Sequence, residues 1–134
     1  MLKQVAVFVE NQPGSLRKVT TELHKEGISI YAFTSYDTPE FGILRMVVDD
    51  SLKAKEILTS KGFVNKICDV IAIQLNDEKG AMDKVLNSLM ESNVNINYIY
   101  SSFGYEDQRS AVIVHTDDIF EAENILKNKG FACM

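Results

Sequence analysis

The chain has 134 residues, of which 46% are hydrophobic, and its formal net charge is -5 at pH 7. A chain of this length forms one domain or two very small ones, and this apolar content suffices for a packed core. The acidic balance and the lack of a Lys/Arg cluster argue against nucleic-acid partners and anionic lipid surfaces. Neither a signal peptide nor an apolar run long enough to span a membrane is evident, which predicts a cytoplasmic protein without membrane association.

The first predicted element is a strand whose apolar residues alternate, as in a strand with one buried face. These residues are Val5, Val7 and Val9. A glycine turn over residues 11–16 follows, and Leu16, Val19 and Leu23 then recur at steps of three and four residues, which predicts an amphipathic helix. Gly27 stands where a left-handed cap would end this helix.

The rest of the first half predicts a hairpin, a second helix and a last strand. Two β-rich runs, 28–36 and 43–48, form the hairpin. Residues 49–51 supply an N-cap and first-turn acids for a helix that ends at Gly62. With a short strand over 64–68, the predicted order is β-α-β-β-α-β.

The second half repeats the first. Gly14 aligns with Gly80 at a shift of 66 residues, and Gly62 aligns with Gly130 at a shift of 68. We place the two extra residues in a loop at 104–108, and Asn93 occupies the position of Gly27. The sequence therefore predicts two modules, 1–68 and 69–134, and the second retains only a stub of its last strand.

Residues suited to catalysis or metal binding do not occur in recognisable patterns. His24 lies among charged helix residues, and His115 has no cysteine near it. Cys68 and Cys133 are far apart in the sequence, which favours reduced, partly buried thiols, with a disulfide as the minor alternative. There is no nucleophile elbow, phosphate-binding loop or paired-cysteine motif. We therefore predict a protein that is not an enzyme and has no cofactor or metal.

A β-α-β-β-α-β module has the ferredoxin-like topology. Here a strand is followed by Asn11-Gln12-Pro13-Gly14-Ser15-Leu16 and by a helix that ends at Gly27-Ile28-Ser29-Ile30, which resembles the ACT domain, a small regulatory module that binds amino acids. Both halves share the resemblance, as in stand-alone tandem ACT proteins. It implies an α+β fold: two tandem ferredoxin-like βαββαβ modules that form an extended antiparallel sheet with helices on one face.

In that family the ligand lies between the first turn of one module and the second strand of a neighbouring module. The resemblance implies that the amides of Gly14, Ser15 and Leu16 bind the ligand carboxylate, while Asn11 accepts a hydrogen bond from the ammonium. The other implied ligand-binding residues are Gln12, Pro13, Asp77, Lys79, Gly80, Ala81, Met82, Ile30, Ala32, Ile96 and Tyr98. Lys79 replaces the usual proline, which predicts weaker ligand binding at the second turn than at the first.

Aromatic residues in the second strand suggest a subunit interface. Simple alternation places Tyr31 and Phe33 on the sheet face opposite the helices, where they would form an exposed patch with Phe8 and Val47. A homodimer is therefore predicted.

Three functions remain open at this stage. The first is an amino-acid-binding regulatory protein that acts on a metabolic enzyme through conformational change. The second is a regulatory subunit without a small ligand, which resembles the small subunits of amino-acid biosynthetic enzymes. The third is a small enzyme with an unrecognised site.

Overall fold

The computed structural model describes residues 1–76, 78–103 and 110–134. The predicted loop at 104–108 and Asp77 therefore lie outside the described residues. Six strands and four helices are found in the described residues. They are β1 (Leu2–Glu10), α1 (Ser15–Lys25), β2 (Ile30–Asp37), β3 (Phe41–Val48), α2 (Ser51–Ser60), β4 (Asn65–Gln74), α3 (Ala81–Glu91), β5 (Ile96–Ser101), β6 (Ala111–Thr116) and α4 (Ile119–Asn128).

The chain divides into two compact units. Module 1 comprises Lys3–Cys68, and module 2 comprises Asp69–Met134 together with Met1–Leu2. The predicted β-α-β-β-α order is found in each of them.

In module 1 the strand order is β2-β3-β1, and the start of β4 lies next to β1. The Phe8 amide donates to the Val64 carbonyl at 2.9 Å beside that start. Val5 lies opposite Met46 and Val7 opposite Leu44 in the antiparallel pair of β1 and β3. All four side chains are buried in one core with Val19, Leu23, Ala54 and Leu58 of the two helices.

Module 2 has the same arrangement, with the strand order β4-β6-β5. Ile73 forms an isolated antiparallel bridge with Cys133, so the predicted stub takes the place of the last strand. The core again consists of alternate strand residues and one stripe of each helix. It contains Ile71, Ile73, Val85, Leu89, Val112, Val114, Ala122 and Leu126.

The helix ends confirm the predicted capping chemistry. Gly27 has φ of 74° after α1, and Asn93 has φ of 56° after α3. Asparagine tolerates this left-handed conformation better than other residues that carry a Cβ atom. The Asp50 and Asp118 side chains accept hydrogen bonds from the third residue of the helices that they precede.

We expect Asp50→Ala to lower the free energy of unfolding by about 1 kcal/mol, because the Lys53 amide loses its acceptor at 3.0 Å. Asp50→Asn is the matched control, since it keeps an oxygen at the same position. The midpoint of urea unfolding measures both variants. An equal loss in the two would assign the effect to the charge and not to the hydrogen bond.

The predicted exposed patch on the far sheet face is wrong. A β-bulge between Ile30 and Ala32 shifts the register, so Ala32 lies opposite Val47 and Phe33 lies opposite Met46. Directly opposite residues share a sheet face, and the extra residue of a bulge reverses the alternation. Phe33 is therefore on the face of the helices, 55% exposed on the edge strand β2, whereas Val47 is only 2% exposed.

Candidate functional site

The turn between β1 and α1 has a defined hydrogen-bond pattern. The Gln12 amide donates to the Glu10 carbonyl at 3.0 Å, and the Ser15 amide donates to the Gln12 carbonyl at 3.2 Å. The Gly14 carbonyl accepts from the Lys18 amide at 3.1 Å. Gly14 itself is the N-cap of α1, with φ of 83°, a conformation that favours glycine.

The turn between β4 and α3 repeats every one of these bonds. The Glu78 amide donates to the Asn76 carbonyl at 2.8 Å, and the Ala81 amide donates to the Glu78 carbonyl at 3.4 Å. The Gly80 carbonyl accepts from the Lys84 amide at 3.0 Å, and Gly80 has φ of 84°. These three hydrogen bonds are therefore retained although Lys79 replaces Pro13.

Three amides at the first turn are free to bind a ligand. The Ser15 amide is already used inside the turn, but those of Gly14, Leu16 and Arg17 have no hydrogen-bond partner among the described residues. Helices leave such donors unpaired at their first turn, and they favour anions. An incoming carboxylate thus finds the Gly14 and Leu16 amides available.

The remaining residues of the first turn are exposed. The Asn11 side-chain nitrogen donates to the Thr38 carbonyl at 2.8 Å, which leaves the amide oxygen as an acceptor. The Gln12 side chain donates to the Glu10 carboxylate at 2.6 Å. Pro13 is an exposed residue of the turn and makes no hydrogen bond with the described residues.

A cavity of about 350 Å³ lies beside the first turn, within module 1. Its lining includes Glu10, Gln12, Ser15, Lys18, Phe63 and Val64. Gln12 and Ser15 were predicted from the sequence as site residues, whereas Glu10, Lys18, Phe63 and Val64 were not. Lys18 could have been found from its alignment with Lys84, but the position of Phe63 relative to the turn depends on how α2 packs.

Module 2 has a wider depression of about 1140 Å³ at its turn, with Gly80, Ala81 and Met82 in the wall. The polar side chains that line it are those of Gln74, Asn76, Glu78, Asp83 and Ser110. Glu78 and Ala81, which align with Gln12 and Ser15, also line a smaller adjoining space of about 40 Å³. Lys79 is exposed at this turn.

The four predicted strand residues do not line the cavities at the turns of their own modules. Ile30 packs against the core of module 1, and Ile96 packs against that of module 2. Ala32 is fully buried. Tyr98 stacks on the His115 ring with centroids 4.8 Å apart. Their role in ligand binding stays a prediction.

The two cysteines and Glu91 lie outside the turns, and their surroundings are those of structural residues. Both cysteines are free and half-buried, as predicted. Burial, followed by the Glu123 carboxylate, raises the pKa of the Cys133 thiol, which keeps it protonated at neutral pH. Hydrogen bonds from Asn87 and then Lys129 lower the pKa of Glu91. No group of three or more potential metal ligands occurs in the described part of the chain.

The turns, cores and strand orders together define a pair of ferredoxin-like domains. The family model for an ACT domain pair matches residues 1–132, and the chain belongs to this family. This match confirms the resemblance seen in the sequence. ACT domains are ligand-binding regulatory modules. None of the described helices is long and apolar enough to cross a membrane.

Solved structures of the same fold include a protein from Bacteroides thetaiotaomicron, which is 33% identical, with a TM-score of 0.89. The match covers 99% of this chain and 91% of that one. The ligand-free regulatory subunit of aspartate kinase from Thermus thermophilus is 18% identical, with a TM-score of 0.65 and coverage of 94% and 90%. Aspartate kinase from Synechocystis is 20% identical, with a TM-score of 0.61 and coverage of 94% and 24%. No curated protein matches the chain.

Proposed function

We propose that the protein is a cytoplasmic amino-acid sensor without catalytic activity, which binds a free amino acid at its glycine turns and regulates a metabolic enzyme. The observation that supports this most is that the two turns, which differ in sequence, share three backbone hydrogen bonds and a glycine with positive φ. In both turns a glycine with positive φ stands at the N-terminus of a helix, where backbone amides favour an anion.

The chemistry of the first turn fits the two ends of an amino acid. The unpaired amides of Gly14 and Leu16 suit a carboxylate, since they lie at the positive end of α1. The Asn11 oxygen suits an ammonium. Regulation of an enzyme is in keeping with family membership, and the similar structure from Thermus thermophilus is the regulatory subunit of aspartate kinase.

We expect calorimetry of the full chain to detect saturable binding of at least one of the twenty amino acids. At a hundredfold excess over Kd, this ligand should stabilise the protein by about 2.7 kcal/mol, which thermal unfolding measures independently. If none of the twenty binds, the sensor proposal fails, and a regulatory subunit without a small ligand becomes the better account.

The homodimer remains part of the proposal, although its predicted patch is not present. Phe8 and Phe41 are both partly exposed in module 1, with ring centroids 6.5 Å apart, and they offer an apolar contact. Sedimentation equilibrium at tens of micromolar should give twice the 15.1 kDa chain mass. A single species at the chain mass would overturn the dimer without affecting ligand binding.

A further inference from the structure

Helix α3 of module 2 carries exposed apolar side chains at helical spacing. Leu86 and Met90 lie one turn apart and are 38% and 68% exposed. Met82, one turn before Leu86, is only partly buried against the core. Residues that recur at four-residue steps lie on the same side of a helix. These three side chains therefore form an apolar stripe along the surface of α3.

A groove follows this stripe. Met82 and Leu86 line the depression of about 1140 Å³ at the second turn. Leu86 also lines a second depression of about 380 Å³, together with Met90 and with Val94 and Ile96 from the chain after α3. The two depressions adjoin at Leu86, and we call them together the α3 groove. An apolar surface with a polar rim is typical of a site where another protein binds.

The equivalent surface of module 1 is polar. At the shift of 66 residues, Thr20 stands in the place of Leu86 and His24 in the place of Met90. One side of the helix is nevertheless buried in the core of each module. Polar residues at these two positions are thus compatible with the same fold. Packing within the module does not require the exposed Leu86 and Met90.

The charges of the two helices are also opposite. Residues 77–91 contain four acidic and two basic side chains, a net charge of -2, whereas the aligned residues 11–25 contain one acidic and three basic side chains, a net charge of +2. Asp83 takes the place of Arg17. The Asp83 carboxylate lines the α3 groove and forms no hydrogen bond or ion pair with the described residues. It is therefore available to a basic group.

These features specify the chemistry of a partner. A groove with apolar anchors at helical spacing accepts the apolar face of an amphipathic helix. The acidic side chains favour lysine and arginine on the flanks of that helix. Residues 69–134 contain eleven acidic and five basic side chains, and their net charge of -6 would attract such a helix and repel an anionic lipid surface.

A second copy of this chain suits the α3 groove less well. Two α3 helices placed against each other would bring their acidic side chains together, and like charges across an interface repel. Helix α1 has the right charge, but it offers Thr20 and His24 where the groove calls for apolar side chains. A different protein is therefore the better occupant.

We propose that the α3 groove binds a basic amphipathic helix of a partner protein, with Leu86 and Met90 against the apolar face of that helix and Asp83 paired with one of its basic side chains. The inference rests on the proposed regulation of an enzyme, since it supplies the surface through which that regulation would act. It needs no amino-acid ligand, so the two proposals are tested separately.

The experiment measures the fluorescence anisotropy of a labelled synthetic peptide with the full chain. In this peptide leucine recurs at steps of three and four residues, and lysine fills the other positions. One control peptide has the same composition in scrambled order, and another has glutamate in place of lysine. We expect saturable binding of the first peptide, more than about tenfold tighter than that of either control.

Substitutions in α3 test the residues. The double variant Leu86→Ser, Met90→Ser should weaken binding of the peptide by about tenfold or more, because it removes the apolar anchors. Asp83→Asn should weaken it by about threefold at low salt and by less at high salt. The matched controls Thr20→Ser and His24→Ser change the equivalent positions of module 1 and should leave the affinity unchanged. Circular dichroism reports on the folding of each variant.

Three outcomes would overturn the proposal. The scrambled peptide could bind as tightly as the periodic one, which would reduce the interaction to charge alone. Folded α3 variants could bind the peptide as the wild type does. Sedimentation without peptide could show a dimer that the double serine variant converts to a monomer, which would mean that a second copy covers α3. None of these outcomes affects the sensor function, which calorimetry of the wild type with amino acids tests by itself.

Discussion

A protein with Gly14→Val should lose measurable amino-acid binding, with affinity reduced by a factor on the order of a hundred or more. Gly14 has φ of 83°, and a Cβ atom placed there would meet open space. The Cβ atom of the variant therefore has no clash inside the protein, and we expect the branched side chain to block the approach of a carboxylate to the Gly14 amide. The strained backbone costs about 1–3 kcal/mol, which a protein of ordinary stability tolerates.

Gly80→Val is the control that separates strain from binding. Gly80 has φ of 84° and equally open surroundings, so both variants should lose the same amount of stability. Calorimetry and circular dichroism on the pair give affinity and folding independently. We expect a smaller effect on binding from Gly80→Val, because Lys79 and Ala81 replace Pro13 and Ser15 at the second turn. Wild-type affinity in a folded Gly14→Val protein would remove the first turn from consideration as the site.

The sequence predicted the fold well because the repeat allowed each element to be checked against its copy. Asn93 illustrates this, since a lone asparagine is a weak helix-end signal but alignment with Gly27 made it a strong one. Its φ of 56° has the expected sign. The stub at Cys133 was also predicted, and its bridge to Ile73 shows that three residues suffice to occupy the position of a strand.

The faces of the second strands could not be predicted from alternation alone. Bulges at Ile30/Ala32 and at Ile96/Tyr98 each insert one residue, and no glycine or proline marks either place. Because the side-chain period of a strand is two, one inserted residue moves every later side chain to the other face. This is why Phe33 lies with the helices, although the uninterrupted pattern put it on the opposite side.

Only the local part of the candidate site, the turn itself, could be predicted from the sequence. Turn chemistry is local, so Gly14 and its hydrogen-bonding neighbours were accessible from the sequence. The cavity depends on distant packing, since Phe63 and Ser15 line it together only because α2 and the segment after it pack against the core of module 1. The depression of about 1140 Å³ at the second turn and the cavity of about 350 Å³ at the first differ in size, and the hydrophobic pattern of the two aligned modules does not predict this difference.

This dependence leads to the second large effect, which we expect from Leu58→Ala. Leu58 is fully buried in the core of module 1, and α2 leads directly into the segment that lines the cavity. Removing a buried leucine side chain costs about 2–5 kcal/mol, a large fraction of the stability of a small protein. Urea unfolding should show a strongly lowered midpoint.

Leu52→Ala is the matched control in the same helix, because Leu52 is 69% exposed and should change stability by no more than about 0.5 kcal/mol. Equal losses in the two variants would mean that helix propensity, and not core packing, sets the stability of α2. If the cavity binds the ligand, saturating amino acid should raise the midpoint of Leu58→Ala by linkage. Suppose instead that the variant still binds the ligand but the ligand leaves its urea midpoint unchanged. That result would show that the unfolding of module 1 is not coupled to the site.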